Sequence, residues 1–390
     1  MRSKRSNSSH ANRPSPTGKR ICVLHVLGAM NRGGAETWLM HVLRHIDREM
    51  FQMDFLMGTE KPCSYDDEIR ALGGRIIPCP YTNRPLRYAR EFRRILRQMG
   101  PYGVVHSHVH HFSGYVLKLA AKEGVRVRIA HSHSTADGKG NALLRRLYRR
   151  QMKRWIRSYA TAGIAASREA AIALFGPWWR RDPRWRIIHC GIDVAPFRQP
   201  VDKEQIRREL GIPQEAMVVG HVGCFDELKN HVFLIEVAEE VVKRHPDTWF
   251  LLVGDGALRH DMEALVAKKG LAVRFVFAGA KGDVARLMLG AMDTLLFPSL
   301  CEGLPLASLE AQAAGLPCVA SEAVPQEAVV IPSAVCRLPL NLGAAEWARV
   351  VLSCLERGQP WRRSALRKVV ESDFNIERAL PPLIEVYMRR

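Results

Sequence analysis

No Cys-x-x-Cys pair occurs among the nine cysteines of this 390-residue chain, which lie scattered at positions 22, 63, 79, 190, 224, 301, 318, 336 and 354. That scatter argues against a disulfide framework or a cysteine-built zinc site, and for a reducing compartment. Long apolar runs are missing too: nothing approaches the roughly 18 residues that would span a bilayer as a helix. Residues 1–19 lack the apolar core of a secretory signal. Basic and rich in Ser and Pro, they are expected to form a disordered tail. A G-x-G-x-x-G dinucleotide fingerprint is absent, and no internal repeat shows beyond a loose doubling described below. Acid is what one region lacks most. Residues 84–157 hold 18 Lys or Arg against 3 Asp or Glu, in a chain with 58 against 39 and a net charge of +19. Residues 1–20 add six basic residues and no acids, so the remainder is nearly neutral.

What is present is ordinary for a globular protein: 47% hydrophobic and 25% charged residues. The length predicts two domains, each large enough for its own core. Short apolar strands at 21–27, 51–57, 104–108, 127–131 and 162–166 alternate with helical patterns, as in the stripe Trp38, Leu39, Val42, Leu43, Ile46. The series restarts after Gly191-Ile-Asp193, with strands at 217–222, 249–253, 273–277, 294–297 and 317–320. Strands spaced by helices imply parallel sheets covered on both faces. An α/β protein of two halves facing a cleft follows, with a polar linker near 191–202 and a last amphipathic helix at 375–390.

Chemistry concentrates in FPSLCEGLPLASLEAQAAGLPCVA, Phe297 to Ala320. Glu302 falls on the loop after a buried strand, at the carboxyl edge of a parallel sheet where such folds bind ligands. Glu310 lies about one turn into the next helix, with Pro305 suited to the helix's first turn. Helix starts offer N–H groups to phosphate oxygens, and two acids beside such a site suit sugar hydroxyls. The first strand runs into Met30-Asn-Arg-Gly-Gly-Ala-Glu36, where Gly33 and Gly34 let backbone approach an anion. Histidines cluster at strand ends as His106, His108, His110 and His111, then His131 and His133. They read as a metal site, as sugar recognition at the cleft mouth, or, for His106, His110 and His111, as plain strand capping. A closed zinc site needs about four ligands, and no nearby Cys or acid cluster completes one, so no metal is expected.

These motifs keep the order of a known family. Glu302 and Glu310 with their flanking Gly-Leu-Pro strings resemble the Glu-x7-Glu motif of retaining glycosyltransferases of the GT-B fold, the family 4-like, group 1 enzymes of bacterial capsule and exopolysaccharide assembly. VLHVLGAMNRGGAE resembles their glycine-rich loop, IAHSHST their loop with an active-site histidine, and the stretch from Val218 to His231 the first strand and loop of their nucleotide domain. LLVGDG matches the next strand and turn. The resemblance runs from residue 21 to roughly 380.

It implies two Rossmann-like domains with parallel sheets facing a central cleft: 20–195 for the acceptor, with helix 375–390 packed back on it, and 196–374 for the nucleotide-sugar. It implies a hexosyltransferase-type enzyme moving sugar with retention from a nucleotide-diphosphate donor (UDP- or GDP-sugar), with no cofactor. Donor-binding residues would be Gly33, Gly34, Lys229, Gly303, Leu304, Pro305 and Glu310. The catalytic residues would be Glu302 and His133, with His131 the alternative. Family members carry an Arg directly after Gly223; here that position is Cys224, which supplies neither charge nor a fork of donors. Arg32 or Lys281 are candidates to compensate. A binding-only relative, or another GT-B enzyme such as a phosphorylase or a sugar-nucleotide epimerase, are the alternatives.

The basic region 84–157 includes NALLRRLYRRQMKRWIRSY, residues 141–159, an amphipathic pattern suited to an anionic membrane surface. Its alternative is a surface helix with its apolar side in the core. No nucleic-acid-binding motif accompanies the charge. The expectation is a cytoplasmic protein, peripheral on the inner face of the membrane, with a lipid-linked saccharide as acceptor.

Overall fold

The computed structural model describes residues 20–134, 143–358 and 362–389. The expected tail, residues 1–19, lies outside the described residues, as do residues 141 and 142 of the basic pattern. Strands β1 (Ile21–Leu27), β2 (Phe51–Met57), β3 (Arg75–Pro78), β4 (Val104–Ser107), β5 (Val127–Ser132), β6 (Ala162–Ala165) and β7 (Trp185–Ile187) form a parallel sheet of order β3-β2-β1-β4-β5-β6-β7. A second parallel sheet contains β8 (Val218–Val222), β9 (Trp249–Val253), β10 (Phe275–Gly279), β11 (Thr294–Phe297), β12 (Cys318–Ser321) and β13 (Val335–Leu338) in the order β10-β9-β8-β11-β12-β13. Helices link successive strands and bury their apolar stripes on the sheets; the helix Gly34–His45 buries Trp38, Leu39, Val42 and Leu43.

In both sheets the strand order reverses beside the first strand of the series, between β1 and β4 and between β8 and β11. Crevices at such switch points are where open α/β sheets bind ligands. The sequence strings of interest follow these strands.

Three edge strands, β3, β7 and β13, escape sequence reading. They are three or four residues long and only partly buried, so they lack a continuous apolar run. The strand expected at 273–277 begins later: Ala272–Arg274 is a short 3-10 turn with Val273 exposed, and Phe275 opens the strand.

The linker differs from expectation. Ile192, Val194 and Phe197 are buried. Ile192 bridges Asn375, and a side chain at Gly191 would fall 2.7 Å from the backbone of Ile376. The crossing chain is therefore pinned to the start of the helix Ile376–Tyr387. That helix buries Leu380, Leu383, Val386 and Tyr387 and packs on the helix Gly34–His45.

The basic helix Leu143–Tyr159 packs through its second half only. Met152 and Ile156 are buried, while Leu144 is 81% exposed and Leu143 and Leu147 also face outward. Gly114 lets the helix Ser113–Lys122 approach it closely, since a Cβ there would lie 2.4 Å from the Met152 carbonyl.

Candidate active site

Two loops of the second half clasp each other at the end of β11. The Leu300 N–H donates to the Leu228 carbonyl at 2.7 Å, and Asn230 Nδ2 donates to the Pro298 carbonyl at 3.2 Å. Asp226 caps the turn Glu227–Lys229 by accepting from the Lys229 N–H, and Asn230 takes a left-handed conformation that turns the chain into the helix His231–Arg244. The result brings Lys229 Nζ to 2.5 Å from Glu302 Oε1, with the ammonium also over the Phe297 ring. Glu302 is only 9% exposed. Removing one partner from so enclosed a pair would leave the other charge uncompensated, which typically costs about 3–5 kcal/mol.

Gly303 is where the two halves touch. A Cβ there would lie 1.7 Å from the carbonyl oxygen of His133, so no other residue fits without opening the cleft. Further contacts bridge the cleft: Arg32 donates to the Lys281 carbonyl at 3.2 Å, and Glu327 accepts from the Arg168 N–H at 2.7 Å. Leu304 is buried, and Pro305 stands at the cap position rather than in the first turn of the helix Leu306–Ala314.

Glu310, in that helix, is half-buried. Desolvation pushes its carboxyl up to about 7. Two turns of the helix are braced by Gln312, which sequence reasoning missed. Its Nε2 donates to the Ser308 and Ala328 carbonyls while its Oε1 accepts from the N–H groups of Val330 and Ile331. A lone Gln in an Ala-rich helix carries no local signal of that role.

Opposite, the helix Gly34–His45 starts at Gly33. A side chain at Gly33 would collide with the Glu36 carboxylate, at 2.4 Å, whereas one at Gly34 would meet nothing within 4 Å. Burial raises the Glu36 carboxyl, and burial, with Asp226 next, raises the thiol of Cys224. Behind Cys224, Gly254 and Gly256 press on the backbone of Gly223 and Phe225; a Cβ at Gly254 would lie 1.8 Å from the Gly223 carbonyl. The Gly-Asp-Gly turn thus supports the loop that carries Cys224.

The histidines do more than cap strands. His106 is fully buried, with its Nε2 at 3.0 Å from His131 Nδ1 and its Nδ1 at 2.9 Å from the Tyr387 hydroxyl. This corrects the capping expectation for His106. His110 and His111 instead lie in a short turn, His110–Phe112, beyond β4. His108 joins His25 through a 3.1 Å contact and His133 through a 2.8 Å contact. Cys190 Sγ lies 3.7 Å from the other nitrogen of His133. Burial lowers all five imidazoles: His25 and His133 to about 3, and His106, His108 and His131 well below their ordinary value. His131 is fully enclosed, whereas His133 keeps partial exposure beside Gly303. His25, Cys190 and Tyr387 enter from distant parts of the chain and had no spacing by which to be found.

Comparison with known proteins agrees with this geometry. Residues 202–358 match the family model described as glycosyl transferases group 1, and residues 32–196 match that of glycosyltransferase family 4. The chain is 34% identical to the glycosyltransferase EpsF of Bacillus subtilis (strain 168) over 94% of its own length and 96% of that protein's. It is 24% identical to the UDP-Gal:alpha-D-GlcNAc-diphosphoundecaprenol alpha-1,3-galactosyltransferase of Escherichia coli, covering 78% and 80% of the two chains. Among solved structures, Anabaena Alr3699/HepE in complex with UDP-glucose superposes with a TM-score of 0.77 at 17% identity, covering 94% of this chain and 99% of that one.

Proposed function

Since the chain belongs to the group 1, family 4 glycosyltransferases of GT-B fold, we propose that it moves a hexose, with retention, from a nucleotide-diphosphate donor to a lipid-linked saccharide in cell-surface polysaccharide assembly. The observation that carries this reading is the Lys229–Glu302 pair at the sheet's switch point, closed over by Gly303 against His133. A donor diphosphate entering there takes Lys229 as its counter-charge and frees Glu302 for the sugar hydroxyls. As the bond to the sugar breaks, charge grows on the leaving diphosphate, and a preorganised ammonium stabilises it more than water would. Glu310 accepts from the ribose hydroxyls, and Gly33, Gly34 and the Gly303–Pro305 backbone leave room for the phosphates and sugar. His133 contacts the transferring sugar as a neutral imidazole. This chemistry uses no metal or cofactor. A UDP-sugar donor and a diphospholipid-linked acceptor are in keeping with the named substrates of the Escherichia coli relative and the ligand of the Anabaena structure.

The basic region supports docking on an anionic membrane. The helices Pro85–Met99, Ser113–Lys122 and Leu143–Tyr159 pack side by side. Leu86, Leu143, Leu144 and Leu147 stand exposed among their arginines. Each basic residue near an anionic leaflet contributes about 1 kcal/mol. Among the described residues no helix is long and apolar enough to cross a membrane.

The test is transfer from a panel of radiolabelled nucleotide sugars into membrane lipid, without added metal, comparing wild type with Glu302→Ala. Label entering the lipid fraction from one donor, and lost in the variant, supports the proposal. Absence of both binding and turnover across the panel overturns it. One observation favours a second reading, a binding-only relative: Cys224 is a neutral thiol where the family places Arg. Donor binding without turnover is its signature. A Cys224→Arg change that raises an existing activity only modestly argues against it.

A further inference from the structure

The five-histidine cluster contains two buried nitrogens, His25 Nε2 and His131 Nε2, that have no hydrogen-bond partner. Leaving such a group buried and unmatched is unfavourable, and a ligand that engages it removes the penalty. One ring nitrogen from each of His108, His131 and His133 lies within 4.8 Å of the others. Their remaining nitrogens are already engaged. His131 Nδ1 meets His106, which Tyr387 holds in turn; His108 Nε2 meets His25; His133 Nδ1 meets Cys190. The nitrogens not used in those contacts are Nε2 of His131, which has no partner, and Nδ1 of His108 and Nε2 of His133, which lie 2.8 Å apart. Imidazoles on one tetrahedral zinc ion stand about 3.3 Å apart, given Zn–N bonds of about 2.0–2.1 Å. A small parting of two rings would admit the ion. His25, His106 and His108 also cluster, but both nitrogens of His106 are taken and His25 and His106 are sealed from solvent. His108 and His133 keep partial exposure, which provides an entry path.

We propose that His108, His131 and His133 form a binding site for one divalent transition-metal ion of the zinc class, outside the chemistry of sugar transfer. The partners His106, His25 and Cys190 supply what metal-bound imidazoles ordinarily have, a hydrogen-bonded group on the other nitrogen that fixes tautomer and ring direction. Three neutral ligands leave a fourth position for water. Occupancy fixes the His133 ring and so competes with its contact to a donor sugar.

The chain is stripped with a chelator, then titrated with Zn2+ by calorimetry and with Co2+ by visible absorption, so the readout is independent of transfer. The expected result is one ion per chain, a four-coordinate cobalt spectrum, and no thiolate-to-metal band, because Cys190 stays one step removed. His131→Asn and His108→Gln lower affinity at least 100-fold, His25→Gln about tenfold, and the exposed control His245→Gln leaves it unchanged. Circular dichroism of each variant reports folding, and the wild-type titration stands without them. Absence of stoichiometric binding in wild type, a thiolate band, or equal affinity in folded His131→Asn overturns the proposal.

Discussion

The two walls of the cleft are built from the same strand-turn-helix unit and carry opposite chemistry. The second half brings charge to the ends of β8 and β11: an enclosed Lys229–Glu302 pair and a carboxyl, Glu310, poised near neutrality. The first half brings a stack of imidazoles to the ends of β1, β4 and β5, every one held neutral by burial. Apart from Arg32 and Glu36 at the turn into its first helix, its formal charge lies on outer helices, with the exposed leucines. The contrast shows how one architecture divides labour. The enclosed ion pair on one wall suits an anionic ligand, and the histidines of the facing wall offer hydrogen bonds without a charge of their own.

The largest test of that division is to remove the charge. Lys229→Ala and Glu302→Gln are each expected to lower the transfer rate by about 10²–10³-fold. His131→Asn, on the neutral wall, should cost far less if it still folds. Steady-state rates with saturating donor decide it; equal losses on both walls would erase the distinction.

Acid separates the walls by stability. His25 and His133 ordinarily titrate near 6.5 and are lowered to about 3 in the fold. Below pH 6.5 the unfolded chain therefore takes up protons that the native chain refuses, so stability falls as pH falls. Between pH 7 and 5.5 these two groups alone withdraw roughly 2–3 kcal/mol. Urea midpoints across that range, with hydrogen exchange resolved by half, should show the first half losing protection first.

Gly303→Ala sharpens the contact between the walls. Its Cβ would meet the His133 carbonyl, so the cleft must open by an ångström or more, with an expected 10–100-fold loss in kcat/KM. The thermal midpoint should barely move, because the clash is relieved by parting the halves rather than by unpacking a core. Unchanged kcat/KM would mean that the closed contact is not the working one.

The smallest effect is a pH dependence of donor affinity. Ionised, Glu310 accepts hydrogen bonds through both oxygens; protonated, it keeps one acceptor and turns the other oxygen into a donor, and its carboxyl is raised to about 7. Affinity should weaken as pH falls through 7 and level off below it, where the protonated carboxyl keeps only a weaker acceptor. Glu310→Gln should bind more weakly at pH 8 and lose the slope. A slope that survives the substitution would place the titration elsewhere.

The sequence by itself determined the α/β alternation, the two parallel sheets and the positions of Glu302, Glu310, Lys229 and His133. These follow from apolar runs, Gly and Pro punctuation and short motifs, all local in the chain. Cys224 was legible too, as a departure from a pattern. Edge strands β3, β7 and β13 were not, since partial burial removes the apolar run that marks a strand. Tertiary structure alone decided which groups meet. The histidine cluster draws on His25, His106, His131 and Tyr387, and the His106–Tyr387 contact spans 281 residues. No spacing rule reaches so far. Burial is likewise a property of the assembled cleft, and it is burial that turns five ordinary imidazoles neutral and lifts one glutamate to about 7. Side-chain identity sets what a group is able to do; the packed surroundings set its protonation and its partners.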